Sequence, residues 1–191
     1  MSDFGIYLLL GWEHITDFAG YDHMLFLLAL ALPYVYNKPF QILWPVTAFA
    51  LGHSITLALS LLQGSVLPSS IIEFLIPLTI TLTAMLNWKA GKPVSNPISF
   101  ALAGVFGLIH GMGFSNYLRP MLPPDQDLWM RLLAFNLGLE AGQVLLIGIA
   151  LPLLLFFKWL IGRYYIKLNI ALSIAIVGVS LWMAYKNLPI Q

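Results

Sequence analysis

Cysteine is absent from this chain and charge is scarce: of 191 residues, 8 are Asp or Glu and 9 are Lys or Arg. Without thiols there is no disulfide framework, no iron–sulfur cluster and no Cys-type zinc site. Any metal is left to imidazole, carboxylate, carbonyl or thioether ligands. A charged fraction of 9%, against roughly 25% in a soluble domain, together with 60% hydrophobic residues implies an integral membrane protein whose first partner is the lipid bilayer. A net charge of +1, with no basic cluster interleaved with aromatics, points away from nucleic acid. The first ten residues lack the positive start of a signal peptide, and the apolar stretch is interrupted at Glu13 and His14, so they read as mature protein.

A spanning helix needs about 20 mainly apolar residues. Six stretches qualify, at roughly 21–37, 41–63, 69–88, 97–118, 129–157 and 167–187, separated by turn residues such as Asn37 to Pro39 and Gln63 to Pro68. The expectation is an all-α integral membrane bundle of about six transmembrane helices, one transmembrane helical domain over residues 1–191. An N-terminal interfacial segment completes it, because Glu13, His14 and Asp17 make residues 4–18 too polar to cross hydrocarbon alone. Lys38, Lys89, Lys92, Lys158, Arg163 and Lys167 fall on one side, and Arg119, Arg131 and Lys186 on the other with the N-terminus. The positive-inside rule makes the first side cytoplasmic and places the N-terminus outside.

What is present against this apolar background is histidine. His23, His53 and His110 lie in or at the mouths of apolar runs, each with a glycine within three residues. An ionisable side chain at membrane depth is costly and marks a functional site by default. The six-span reading places His23 at the outer start of the first span and His53, His110 and Glu140 in the outer parts of others. Asn136, Glu140 and Gln143, at i, i+4 and i+7, form one helical stripe, with Glu140 read as a carboxylate buried in mid-helix. Thr79, Thr83 and Asn87 form another on the third span. The candidate metal ligands are therefore His23, His53, His110, Asp22 and Glu140, with His14, Ser54, Thr56, Asn136 and Gln143 around them or along a pathway. Plainer readings exist: Asp22 as a helix cap, His53 as an interhelical hydrogen-bonding group, and the glycines as close-packing surfaces.

Four motifs recur in order: His14-Ile-Thr-Asp-Phe-Ala-Gly-Tyr-Asp22-His23, Thr47-Ala-Phe-Ala-Leu-Gly-His53-Ser-Ile-Thr56, Phe106-Gly-Leu-Ile-His110-Gly-Met-Gly-Phe114 and Phe135-Asn136-Leu-Gly-Leu-Glu140-Ala-Gly-Gln143. Over most of its length the chain resembles the HupE/UreJ family of small bacterial membrane proteins, associated with nickel uptake for hydrogenase and urease. The resemblance implies a permease that binds nickel and transports it across a bacterial inner (plasma) membrane. Imidazole and carboxylate ligands suit Ni(II), Co(II) and Zn(II) alike. An alternative reading is an intramembrane zinc-dependent hydrolase in which three histidines hold the metal and Glu140, Asp22 or Ser54 serves in catalysis. A third is a metal sensor or assembly partner.

Overall fold

The computed structural model describes residues 2–36, 38–87, 96–119 and 128–189. It is 92% helical and, among the described residues, has no strand, as the all-α expectation requires. The helices are α1 (Asp3–Thr16), α2 (Tyr21–Ala31), α3 (Leu43–Gln63), α4 (Ser69–Leu86), α5 (Asn96–Leu118), α6 (Leu128–Ile161) and α7 (Tyr165–Lys186). The loops over 88–95 and 120–127, with Trp88, Lys89 and Lys92, lie outside the described residues.

Membrane-crossing length and apolarity are met by Pro39–Gln63, Ser69–Leu86, Pro97–Ser115 and the stretch Leu128–Lys186, and jointly by the bent pair Asp3–Thr16 and Tyr21–Val35. The long stretch contains two passes. Lys158 near the end of α6 donates to the Val35 carbonyl, and Asn169 near the start of α7 donates to that of Leu32. Farther along α7, Ser180 bonds Thr81, and past its end Asn187 donates to the Glu73 carbonyl at the opposite end of α4. The chain reverses at Gly162, whose φ of 54° favours a residue without Cβ.

The first span differs from the expected continuous run over 21–37. The 11 residues of α2 and the 4 of the 3-10 turn after it rise only about 25 Å, short of the roughly 30 Å of hydrocarbon. The other half is α1. It runs parallel to α6: Arg131 bonds Asp3, the backbone of Gly11 meets that of Phe135, and Gly142 meets Ile15 and Thr16. Val35, at the far end, then meets Lys158. The two pieces thus accompany α6 from one end of the bundle to the other, as a span broken at residues 17–20 with a bend of 67°, and not as a loop returning to its starting side. The stretch expected at the interface is packed lengthwise on α6, and its polar residues sit at the break.

A second parallel pair, α3 and α5, is held by the same device. A Cβ on Gly111 would collide with the His53 carbonyl and the Thr56 hydroxyl, and one on Gly138 with the Leu8 carbonyl in the α1–α6 pair. Lipid gives little hydrophobic drive to helix association, so close backbone approach and interhelical hydrogen bonds supply it. The bonds include Asn87 to the Ala29 carbonyl at 2.6 Å and Thr81 to Ser180 at 2.7 Å. Trp44, Trp129, Trp159 and Trp182 stay exposed near helix ends, as an interfacial belt requires.

Candidate metal centre

Four histidines meet where α1 stops. His14 belongs to the last turn of α1, His23 to the first turn of α2, His53 is the central residue of α3, and His110 belongs to α5. Their ring centroids are 4.7 Å apart for His14 and His23, 5.7 Å for His14 and His53, and 5.5 Å for His23 and His110. The break turns α2 so that its first residues face the end of α1, and α3–α5 packing presents His53 and His110 to the same point. Because the first span is broken, His23 stands about 18 Å along the helix from Val35, in mid-bundle and not at the outer start of a span.

The ligand atoms converge in two groups that share His23: His14, His23 and His53, and Asp22, His23 and His110, each group lying within 4.8 Å of one another. Three donors held at about 2.1 Å around one tetrahedral metal stand about 3.4 Å apart, so either group draws inward when its atoms share an ion.

Hydrogen bonding prepares the imidazoles for this. The Asp22 carboxylate accepts from the backbone N–H of His23 at 2.9 Å and from its Nδ1–H at 3.0 Å, leaving Nε2 as the lone-pair nitrogen. On α4, the Thr79 hydroxyl lies 2.7 Å from the Ile76 carbonyl and 3.1 Å from His110 Nε2. With its one proton given to the carbonyl it accepts from Nε2–H, the arrangement that leaves the His110 lone pair on Nδ1. Carboxylate and hydroxyl partners of this kind fix the tautomer of metal-ligating histidines. Five imidazole nitrogens are then buried with no hydrogen-bond partner among the described residues: Nε2 of His14 and His23, both nitrogens of His53, and Nδ1 of His110. A buried polar atom whose hydrogen bond is not made costs about 1–3 kcal/mol.

Access and floor differ in chemistry. A cleft of about 640 Å³, lined by Glu13, His14, Asp17, Asp22, His23 and Phe114 among others, opens at the break. On the other side the cluster rests on rings: Phe49 stands 5.0 Å and Phe26 5.6 Å from the ring of His110. Phe114 covers His14 at 3.8 Å.

Of the expected site residues, the structure brings together His14, Asp22, His23, His53 and His110. Glu140 corrects the expectation of a buried carboxylate: it lies on the exposed side of α6 with Leu133, Leu137 and Val144. The buried stripe of that helix is the one carrying Gly138 and Gly142 against α1, which turns Glu140 away. Ser54 donates to the Ala50 carbonyl at 2.7 Å, and Thr56 to those of Gly52 and His53, so both hydroxyls serve their own helix. Gln143 is fully buried with neither amide atom partnered, and Asn136 Oδ1 is likewise buried and unpartnered among the described residues. Of the three groups named for hydrolysis, then, Glu140 faces outward, Ser54 is bonded within its helix and Asp22 holds His23. Thr79 is the participant that sequence reasoning left without a role, although its stripe with Thr83 and Asn87 was visible.

A sequence model described as HupE / UreJ protein matches residues 1–187 of the chain. No curated protein and no solved structure matches it.

Proposed function

The chain belongs to the HupE/UreJ family, and from that membership and the histidine cluster we propose that it binds a divalent transition metal and carries it across the membrane. The family is associated with nickel and cobalt uptake; nickel is the substrate we assign, with cobalt and zinc as competitors for the same donors. One observation carries the reading: five buried imidazole nitrogens without protein partners converge at the break of a membrane span. A buried polar atom without a partner is costly, and a metal cation relieves that cost at one nitrogen of each histidine it binds. Discontinuous helices at a mid-membrane site are a recurrent transporter device. His14, His23, His53 and His110 are the proposed ligands; Asp22 orients His23 and completes the second group.

The direction is inward. Lys38, Lys158, Arg163 and Lys167 mark one end of the bundle, which we assign to the cytoplasm of a bacterial inner membrane, with the N-terminus outside. The cleft at the break then receives the metal before the aromatic floor.

The test is uptake of radioactive nickel by cells expressing the protein or the single variants His23→Ala, His53→Ala and His110→Ala, each checked for membrane insertion. Uptake is lost in all three. Unchanged uptake in properly inserted variants refutes the proposal, and a stoichiometric, slowly exchanging zinc in the purified protein favours the hydrolase instead.

A further inference from the structure

Glu140, which falls outside the metal centre, stands where a carboxyl group is poorly tolerated by itself. It lies about 16 Å along α6 from Trp129 and about 28 Å from Trp159, so its short side chain reaches neither interface. It is exposed beside Leu133, Leu137 and Val144, and among the described residues it makes no hydrogen bond or ion pair. Glu13 and Asp17, also outward at about this depth, line the cleft of about 640 Å³ at the break; Glu140 does not. An acidic side chain within a transmembrane segment almost always faces protein or a water-filled cavity, because hydrocarbon offers it no partner.

What can cover Glu140 is constrained by what a second copy of the chain carries at the same depth. Among the described residues the cations gather at the two ends of the bundle, Lys158 and Arg163 at one and Arg119 and Lys186 at the other. Near the level of the histidine cluster the outward residues of α3, α4 and α7 are apolar: Leu51, Ile55, Leu82, Val179 and Leu181. A copy inserted in the same direction and docked head to tail would set Glu140 against one of those surfaces. A two-fold contact is different, since it places each residue near the axis against its own counterpart. We propose that this face of α6 is the contact between two copies of the chain, related by a two-fold axis beside Glu140, with the two carboxyl groups hydrogen-bonded through a shared proton. The face also permits close approach. Ala141 and Gly148 are exposed on it, and a Cβ on Gly148 would meet nothing within 4 Å, so no contact inside one copy requires glycine there. Small residues let helix backbones meet in lipid, where packing and hydrogen bonds drive association. Each copy carries its own histidine cluster, and the contact is independent of metal binding.

The experiment uses purified full-length protein in liposomes, with resonance energy transfer between donor- and acceptor-labelled copies followed over a range of protein-to-lipid ratios. Wild type pairs. Glu140→Leu needs about tenfold more protein per lipid to do so, the scale of an interhelical polar contact in a membrane, whereas Glu140→Gln, whose amide also donates and accepts, pairs like wild type. Because the chain has no cysteine, single Leu137→Cys and Val144→Cys variants, about one turn to either side of Glu140, report the contact directly. A short bifunctional thiol reagent links them into dimers and leaves Ile55→Cys, at similar depth on α3, as monomers. Wild type that stays monomeric at every ratio overturns the pairing and leaves the face to a different membrane protein. Pairing that is unchanged in Glu140→Leu, links formed at Ile55→Cys instead, or assemblies larger than dimers overturn the two-fold contact at Glu140.

Discussion

Removing the Thr79 hydroxyl, which touches no metal on the present reading, should weaken metal binding through His110. In Thr79→Val the volume of the side chain is conserved while the acceptor 3.1 Å from His110 Nε2 disappears. The Ile76 carbonyl, which took the Thr79 proton, still accepts its helical bond, so the damage centres on the imidazole. His110 is buried at 2% exposure and has no alternative partner for that proton among the described residues. The unpaired N–H costs about 1–3 kcal/mol, and the ring escapes the cost by turning or by moving its proton to Nδ1, either of which withdraws the lone pair from the cluster. Partners that orient a ligating histidine are typically worth about 10–100-fold in metal affinity, or roughly 1.4–2.7 kcal/mol. The assay is titration of purified wild type and Thr79→Val with Ni²⁺ by calorimetry, with Thr81→Val as comparator, because Thr81 bonds Ser180 and the Pro77 carbonyl and lies off the cluster. Affinity should fall in the first variant and hold in the second. Equal affinity in Thr79→Val and wild type would refute the argument that this hydroxyl sets the tautomer of His110.

Two further outcomes follow from packing. Gly111→Ala forces α3 and α5 apart at the level of His53, so it should lower thermal stability in detergent by about 1–3 kcal/mol, the usual cost of overpacking, and reduce Ni²⁺ affinity as well. Gly178→Ala on α7, where a Cβ meets nothing within 4 Å, should change neither, and a matching loss there would mean that the effect is not one of helix spacing. Glu140→Gln should leave Ni²⁺ affinity within about twofold of wild type, as expected of a side chain outside the cluster; a larger loss in the same titration would return Glu140 to the site.

Much was legible before any tertiary contact was known. Composition and run length determine the membrane class, because hydrocarbon admits only apolar stretches of sufficient length. The cost of burying an imidazole in lipid singles out His23, His53 and His110, and the order of their motifs reveals the family. What local sequence does not carry is the direction in which each helix face points, since that depends on partners more than a hundred residues away. Glu140 sits between Gly138 and Gly142, and it is the docking of those glycines on α1 that turns the carboxylate outward. His14 falls in a stretch expected at the interface because its neighbours are polar; only the parallel packing of α1 along α6 makes α1 half of a span and its end part of the centre. The same holds for His110, whose Nε2 meets a hydroxyl 31 residues away on α4. Residue types and spacings determined that this chain would gather imidazoles inside a membrane, while long-range packing decided which of them meet, because a helix's azimuth is fixed by its neighbours and not by its own period.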